Sequence, residues 1–349
     1  MTQANAPASA ARRRQGPSQA DVARLVGVSG QTVSRVANGL DNVNAATRDR
    51  VLAAMEELGY RPNRAARALR SGRFRSIGVI SFELKSVGSS HTLDAIAAAA
   101  GSSGYSVNLL PVPHPTQAAV SSAFGLLDEQ AVDGVIILIA ARHLGDTDVV
   151  LPDGLPVVVI DSSGRYDYPI VDNDHAQGAR LATEHLLDLG HETVWHIAGP
   201  PSSFAATRRQ ASWRETLLDR GRAVPPVLVG DWSADSGYEL GHQLAGDHRV
   251  TAVFAAADEM ALGLLRALHE RSRSVPDEVS VVGFNDTAEA AHYWPPLTTV
   301  RQSFAEVGRR SVEALIGEIR SGEHHHQPVY VPTELVIRRS TAPPPTTTS

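Results

Sequence analysis

Cysteine is absent from the 349 residues of the sequence, aromatic residues make up only 5%, and no apolar run is long enough to span a membrane. The absence of cysteine excludes disulfide bonds and thiolate metal sites, and it is typical of proteins of a reducing cytoplasm. The opening segment MTQANAPASAARRRQGPS has three arginines but no apolar stretch after them, which argues against a secretory signal. We therefore interpret residues 1–17 as a disordered basic arm and expect a cytoplasmic protein that contacts no membrane.

Charge is distributed unevenly along the chain. Residues 1–75 contain 13 arginines, no lysine and five acidic residues, a balance of +8. Because the whole chain carries a formal net charge of −6, the remainder must carry −14. A basic head on an acidic body indicates that one part contacts phosphate and that the other part has a different task. The length is also sufficient for two or three compact units.

Residues 18–37 have the pattern of two short helices joined by a tight turn. Ser18 and Asp21 form a capping box that opens the first helix, Gly27 supplies the turn, and Ser29 caps the second helix. A third amphipathic helix follows in AATRDRVLAAMEELGY. On this pattern alone, a helix-turn-helix and another small helical bundle are equally good interpretations. The positions expected to face the core are Val22, Leu25, Val26, Val33, Val36, Val51, Leu52, Met55 and Leu58.

An arginine-rich segment, RAARALRSGR, follows the sequence GYRPN. Its arginines stand at positions 64, 67, 70 and 73, and Pro62 suits the start of a helix. A helix this short is only marginally stable by itself. We interpret residues 63–75 as a hinge helix or linker.

From residue 76 onward, short Val/Ile-rich runs alternate with helical stretches, which predicts parallel sheets covered on both faces. No G-x-G-x-x-G follows the first strand, so a dinucleotide site is not expected. Ligands of such sheets bind beyond the carboxyl ends of the strands, and two facing sheets form a cleft. The strand candidates are SIGVIS, YSVNLL, GVIILIA, PVVVID, TVWHIAG, PVLVGDW, TAVFAAAD and VSVVGF. The helix candidates are 91–100, 117–130, 175–190, 206–220, 233–246, 259–272 and 303–321.

Motifs of common enzymes are missing from the sequence. There is no G-x-S-x-G, no P-loop and no H-E-x-x-H. The HHH run at 324–326 belongs to a loop, SGEHHHQP, and a solvated loop is a better interpretation than a metal site. His175, His185, His191 and His196 lack the spacing of metal ligands. We expect neither catalytic residues nor a metal or other cofactor. A secreted sugar-binding protein would need a signal peptide and would have no use for a basic head.

Several longer motifs are specific in combination. In the head they are DVARLVGVSGQTVSRVANG, VNAATRDRVLAAMEELGYRPN and ARALRSGR. In the body they are VDGVIIL, PVVVIDSS, DNDHAQGARLATEHLLDLGHETVWHIAGP, GDWSADSGY, ADEMALGLLRAL, VPDEVSVVGFND and PPLTTVRQSF. Through these motifs the sequence resembles the lactose-repressor (LacI/GalR) family of transcription regulators over nearly its whole length, to about residue 343.

The resemblance implies a small all-α helix-turn-helix headpiece and an α/β core similar to periplasmic sugar-binding proteins. The headpiece would span 18–62 and the core 76–340, with a flexible tail at 341–349. The core would consist of two doubly wound parallel-sheet subdomains. One would comprise 76–172 and 301–332, and the other 173–300 and 333–340.

In the headpiece, the resemblance implies that the second helix enters the major groove of DNA. Gln31 and Arg35 would read base edges, while the flanking polar residues would hold phosphates. Leu69 would wedge into the minor groove, although an ordinary linker leucine is the alternative. Gly30 stands where the family usually has a reading side chain. The full set of expected DNA-binding residues is Ser29, Gln31, Thr32, Ser34, Arg35, Asn38, Asn63, Arg64, Arg67 and Leu69.

In the core, the expected ligand-binding residues lie at strand ends or match the family's pocket. Arg209 matches the family's pocket arginine, and Trp232 could stack on the apolar face of a sugar. Asp258 could either bind ligand or cap the following helix. Asn285 stands where relatives have aspartate, and Ala257 where they have asparagine, so the polar pattern facing a ligand is altered. The full set is Phe82, Glu83, Asp161, Arg209, Trp232, Asp258, Asn285 and Phe304.

These features together predict a sequence-specific DNA-binding repressor that is switched by a small molecule. We expect a mono- or oligosaccharide effector, and a purine or nucleobase corepressor is the alternative within the same architecture. Two protomers would associate through the core and bind a near-palindromic operator, because one recognition helix reads too few base pairs. No heptad follows the last strand, so a dimer is expected rather than a tetramer. Such a protein would be cytoplasmic and associated with the nucleoid when bound to its operator.

Overall fold

The computed structural model describes residues 17–37, 42–61, 72–82, 87–112, 116–138, 154–160, 168–322 and 327–345. It separates into two compact units, residues 1–74 and 75–349. No helix among the described residues is long and apolar enough to cross a bilayer. The predicted basic arm, most of the hinge segment and the HHH run lie outside these residues.

The first unit is a three-helix cluster formed by α1 (Gln19–Val26), α2 (Gly30–Ala37) and α3 (Ala45–Leu58). The predicted capping box of Ser18 and Asp21 is confirmed, and Gly27 ends α1 with a left-handed φ of 70°. The guanidinium of Arg50 donates to the carbonyl oxygen of Val26 at 2.6 Å, which ties α3 to the end of α1. The buried core contains Val22, Ala23, Val26, Val33, Val36, Val51, Ala54 and Met55.

Two leucines were predicted to face this core and instead face solvent. Leu25 is 50% exposed and Leu52 is 48% exposed. Successive residues of an α-helix are about 100° apart, so a residue beside a core position lies on the flank of the helix. Val26 and Val51 take the core positions, and each leucine is displaced by one residue from them.

The first part of the second unit consists of β1 (Ser76–Ser81), α4 (Val87–Ser102), β2 (Ser106–Pro111), α5 (Gln117–Glu129), β3 (Gly134–Leu138), β4 (Val157–Ile160), β5 (Val171–Asn173), α10 (Phe304–Ser321) and β11 (Val329–Val331). Four of these strands form a parallel sheet in the order β2-β1-β3-β4. Every residue of β1, β3 and β4 is buried, as expected for Val/Ile runs. The short parallel pair β5–β11 continues beside β4, where Val159 bridges to Ile170.

The second part of the unit consists of α6 (His175–Asp188), β6 (Trp195–Ala198), α7 (Phe204–Asp219), β7 (Leu228–Val229), α8 (Ala234–Ala245), β8 (Ala252–Ala255), α9 (Asp258–Glu270), β9 (Ser280–Asn285), β10 (Thr298–Arg301) and β12 (Glu334–Val336). Its strands form a six-stranded sheet in the order β12-β10-β9-β8-β6-β7, in which only the edge strand β12 runs antiparallel. A 3-10 helix, Ala288–His292, follows β9. Two parallel sheets with flanking helices are the architecture that the sequence predicts.

The chain passes between the two sheets three times, after β5, after β10 and after β11. These crossing segments are hydrogen-bonded to one another. The backbone N–H of Ser303 donates to Oδ1 of Asn173 at 3.2 Å, and the backbone N–H of Asp174 donates to the carbonyl of Val331 at 2.8 Å. Thr333 donates its backbone N–H to Oε1 of Gln177 at 2.8 Å. The three segments thus form one connected hinge. The exact division of the core into subdomains stays a prediction.

The segment that begins at 341 was predicted to be a flexible tail, and the structure differs. The carbonyl of Ala342 accepts hydrogen bonds from Ser280 at 2.9 Å and from the His191 ring at 3.0 Å. The hydroxyl of Thr341 lies 3.0 Å from Nε2 of His185. The chain therefore stays packed on the second unit through residue 342, because buried polar groups of the unit use this segment as a partner.

Candidate nucleic-acid interface and ligand cavity

The helix α2 presents two different faces. Val33 and Val36 are buried in the headpiece core, whereas Gln31 is exposed and Arg35 is half-buried. Since positions 31 and 35 are four residues apart, their side chains share the face opposite to the valines. Ser34 is also half-buried and lies on this outer side. A polar face on a helix that a hydrophobic core holds in place is suited to contact a DNA groove.

Ser29 begins α2 as a side-chain cap. Its Oγ accepts the backbone N–H of Thr32 at 3.1 Å and lies 2.9 Å from the Thr32 hydroxyl. The cap fixes the first turn of the helix, where backbone N–H groups favour phosphate. The expected DNA-binding residues Asn38, Asn63, Arg64, Arg67 and Leu69 lie outside the described residues.

A cavity of about 520 Å³ lies between the two sheets of the second unit. The crossing segments contribute to its wall, and its volume falls in the range of small-molecule sites. Its lining residues are Val87, Gly88, Ser89, Thr92, Leu138, Ile160, Asp172, Asn173, His175, Ser203, Ala205, Arg209, Asp231, Trp232, Ser233, Ala234, Ala257, Glu259, Leu262, Asn285, Gln302, Phe304 and Val307.

Arg209 is held in the cavity wall from several sides, and it is only 4% exposed. Its guanidinium donates to the carbonyl of Ala256 at 2.5 Å and to Nδ1 of His175 at 3.2 Å. The same group lies 3.7 Å from the centre of the Phe284 ring and 5.5 Å from that of Trp232. These contacts leave the planar cation little freedom, so it can meet a ligand without first being ordered.

His175 orients the arginine through a short chain of contacts. Because Nδ1 accepts from Arg209, the ring proton is on Nε2, which lies 3.3 Å from Oδ1 of Asp172. Burial lowers the pKa of His175; the nearby Asp172 carboxylate raises it, and the Arg209 charge lowers it. The imidazole is therefore neutral near pH 7, as its role of accepting from a guanidinium requires.

Aromatic and amide groups complete the wall. The Trp232 backbone has a left-handed φ of 74°, and its indole packs on Gly199, where a Cβ would come within 2.2 Å of the ring. The ring of Phe304 stacks on that of His91 with centroids 5.5 Å apart. Asn285 accepts a hydrogen bond from the amide of Gln302 at 2.7 Å. Of the predicted ligand-binding residues, Arg209, Trp232, Asn285 and Phe304 thus lie together in the cavity wall.

Two predicted ligand-binding residues lie elsewhere. Asp258 is fully buried, and its carboxylate accepts from the Thr299 hydroxyl at 2.6 Å and from the Thr287 backbone N–H at 2.8 Å. Burial raises the pKa of Asp258. It is neither a cavity residue nor a cap of α9, since that helix has no side-chain cap. Phe82 packs on the core of the four-stranded sheet. The remaining two, Glu83 and Asp161, lie outside the described residues.

Several cavity residues were not found by reading the sequence. Asp172 comes from β5, Gln302 from the crossing segment after β10, and Glu259 from the first turn of α9. The short strand β5 ends in the polar pair Asp172–Asn173, and this polar strand end is the sequence feature that could have identified Asp172 as a cavity residue. Burial raises the pKa of Glu259, and nearby Asp258 raises it further. Among the described residues, no cluster of His, Asp or Glu could hold a metal ion.

Two family models match the chain. Residues 20–63 match the model of bacterial regulatory proteins of the lacI family, and residues 183–341 match a periplasmic binding protein-like domain. The lactose operon repressor of Escherichia coli (strain K12) is 37% identical over 336 residues, which cover 94% of this chain and 92% of that protein.

Solved structures share the same architecture. One is the lac repressor dimer bound to operator and the anti-inducer ONPF, with 35% identity, a TM-score of 0.81, and coverage of 94% of this chain and 100% of that one. Another is the regulator CelR in complex with cellobiose, with 32% identity, a TM-score of 0.69, and coverage of 93% and 99%. Both matches extend over the headpiece as well as the second unit.

Proposed function

Since this chain belongs to the LacI family of bacterial regulatory proteins, we propose that it is a repressor whose operator affinity is switched by a small sugar. As a member of this family, it is a DNA-binding transcriptional regulator and not an enzyme. The observation that carries the sugar proposal is the cavity between the sheets, where a fixed guanidinium stands beside an indole ring. Charged side chains bind hydroxyl groups, and an aromatic face packs on the apolar face of a sugar ring.

Operator recognition is assigned to the outer face of α2. Gln31 and Arg35 would contact base edges, with Arg35 donating to O6 and N7 of a guanine. Ser29, Thr32 and Ser34 would contact phosphates and set the register. At position 30, glycine offers no side chain for base readout. Because one α2 reads few base pairs, two protomers bind a near-palindromic site as a dimer.

Ligand binding is coupled to the headpiece through the hinge of the second unit. A ligand that contacts both walls of the cavity favours the closed arrangement of the two sheets, and the three crossing segments allow that motion. Residues 63–75 connect this unit to the headpiece along the chain, so closure alters how two headpieces of a dimer engage DNA. The size of the shift is limited by the difference in the ligand's affinity for the two arrangements.

Base readout is tested with Arg35→Ala and with operator sequences selected by the unaltered protein from a random DNA pool. We expect binding to lose about 1–3 kcal/mol of discrimination at one base pair of each half-site. Arg24→Ala is the matched control, since Arg24 is an exposed arginine of α1 that pairs with Asp21. A uniform loss across all sequences would make Arg35 a phosphate contact and contradict the assignment.

The effector class is tested by thermal unfolding of the full chain with mono- and oligosaccharides and with purines. A ligand at a hundred times its dissociation constant stabilises the folded state by about 2.7 kcal/mol. A sugar that stabilises the protein and also changes operator affinity supports the proposal. A purine that stabilises the protein and changes its operator affinity would instead identify the effector as a nucleobase.

A further inference from the structure

Three oxygen atoms in the cavity wall have no hydrogen-bond partner within the part of the chain that the structure describes. They are Oδ2 of Asp172, Oε1 of Glu259 and Oε1 of Gln302. Asp172 is 3% exposed and Gln302 is 7% exposed, and all three side chains line the cavity. A buried polar atom without a partner is costly, so a bound ligand that satisfies it gains affinity.

These atoms require hydrogen-bond donors from the ligand. A carboxylate or amide oxygen only accepts, whereas a hydroxyl or ammonium group donates. Phosphate and carboxylate groups of a ligand offer mainly acceptor oxygens, which would face the lone pairs of the wall. Polyhydroxylated and amino compounds are therefore matched to this cavity, and acidic ones are mismatched.

The charges of the cavity wall also disfavour acidic ligands. Its ionisable carboxylates are those of Asp172, Asp231 and Glu259, and its one guanidinium is that of Arg209. Nη1 of Arg208, which is outside the lining, lies 3.6 Å from Oδ2 of Asp172, too far for a hydrogen bond but close enough to offset its charge. In the described part of the wall, Asp231 and Glu259 are then balanced only by Arg209. Arg209 already donates to Ala256 and His175. An anionic ligand would thus enter a site with surplus negative charge.

Among the three residues, Glu259 has the fewest contacts with side chains: its carboxylate accepts from its own backbone N–H in the first turn of α9, and Oε1 has no hydrogen-bond partner among the described residues. Asp172 orients His175, and Gln302 donates to Asn285. Oε1 of Glu259 therefore faces the cavity as an acceptor that the described part of the wall leaves unused. That oxygen is available to select the ligand.

We propose that the cavity selects a ligand that donates hydrogen bonds and carries no negative charge, that is, an underivatised or amino sugar, and that Glu259 is the residue that excludes phosphorylated and acidic sugars. The proposal rests on the proposed sugar-sensing function and sharpens it. It assigns to Glu259 a selective role, while the chain of Asp172, His175 and Arg209 positions the ligand.

The test uses thermal unfolding of the full chain with three groups of probes. The neutral probes are glucose, galactose, lactose and cellobiose. The amino probes are glucosamine and galactosamine, and the acidic probes are glucose 6-phosphate, galactose 6-phosphate and glucuronate. We expect stabilisation by at least one neutral or amino probe and none by the acidic probes. Stabilisation by an acidic probe, with none from its uncharged counterpart, would overturn the proposal and leave sugar sensing intact. Silence from all sugars would overturn the proposed sugar function and this inference with it.

The role of Glu259 is tested with Glu259→Gln, which keeps the shape of the side chain and removes its charge. For the sugar that binds, we expect the ratio of the dissociation constants of its acidic and uncharged forms to fall by at least about tenfold. Glu239→Gln, a charge-matched change at an exposed residue of α8, should leave that ratio unchanged. Full discrimination in Glu259→Gln would overturn the assignment of Glu259. A cooperative thermal transition of Glu259→Gln without ligand shows that the variant folds.

Discussion

The headpiece closes its core with aliphatic side chains and one methionine, whereas the second unit also buries charged and polar groups. The eight core residues of the headpiece are Val, Ala and Met. In the second unit, Arg209, Asp258 and His196 are buried together with large aromatic residues such as Trp213 and Phe254. In the proposed function, the headpiece binds DNA through its surface and the second unit binds its ligand in its interior. Substitution of a functional residue should therefore lower the free energy of unfolding of the second unit, whereas in the headpiece it should leave that free energy unchanged.

The largest effect is expected for Arg209→Ala. The change removes two hydrogen bonds and the packing of the guanidinium on Phe284, and we expect it to lower the free energy of unfolding by about 4 kcal/mol. Arg214→Ala, at an exposed position of the same helix, should change it by less than about 0.5 kcal/mol. Urea unfolding of the full chain measures both. Equal stability of the two variants would show that the buried arginine is not integrated into the fold.

The second prediction uses pH to separate the two units. Burial lowers the pKa of His196 to about 4, and it also lowers those of His175, His185 and His191. Below a pH of about 6.5, a histidine of the unfolded chain becomes protonated, whereas the buried histidine of the folded chain stays neutral. For His196 alone, stability is present above that pH and falls by about 2 kcal/mol by pH 5. The pKa values of Asp258 and Glu259 are raised in the folded state, so these two residues make the free energy of unfolding rise as the pH falls.

All 14 histidines lie after residue 75, so the headpiece should keep its stability over the same pH range. Hydrogen exchange measures the two units separately in the full chain. We expect protection of β6 and β8 to fall between pH 6.5 and 5, while that of α1 and α3 stays constant. His196→Asn should reduce the fall in β6 and β8. An unchanged pH dependence in that variant would assign the effect to the other histidines.

The smallest effect is expected for matched cap removals, Ser18→Ala in the headpiece and Ser233→Ala in the second unit. Each serine Oγ accepts a backbone N–H at the start of its helix, from Asp21 and from Ser236, respectively. Each change should cost about 1 kcal/mol. The same loss of free energy lowers the unfolding temperature of a small domain more than that of a large one. We therefore expect the unfolding midpoint to fall by about 4–8 °C for the headpiece and by about 2–4 °C for the larger unit. Differential scanning calorimetry separates the transitions. Equal shifts would mean that the two units unfold as one.

The difference between the headpiece and the second unit also explains which features could be predicted from the sequence. Ser18, Asp21, Gly27 and Ser29 act within four residues of their partners, so their roles follow from local spacing. The strands of the core are recognisable because their Val/Ile runs are buried on both faces. Leu25 and Leu52 were misplaced because a residue beside the core position of a helix can face either way.

The cavity was harder to read, because its residues come together from distant parts of the chain. Arg209, Trp232, Asn285 and Phe304 were found at strand ends or through the family pattern. Asp258 has the same sequence signal, but the contacts that engage it come from Thr287 and Thr299, far along the chain. The three unpartnered oxygens lie on segments whose approach depends on how the sheets cross. Such a placement needs tertiary structure.

The triple crossing between the sheets also has a consequence for biosynthesis. The strand pair β5–β11 and the packing of α10 on α4 need residues up to Val331, so the four-stranded half of the second unit is incomplete until the ribosome reaches that point. The three helices of the headpiece are complete by residue 58. At about 5–20 residues per second, the chain needs some 15–50 seconds to add the residues in between. During that interval each nascent chain carries a complete headpiece and an incomplete second unit.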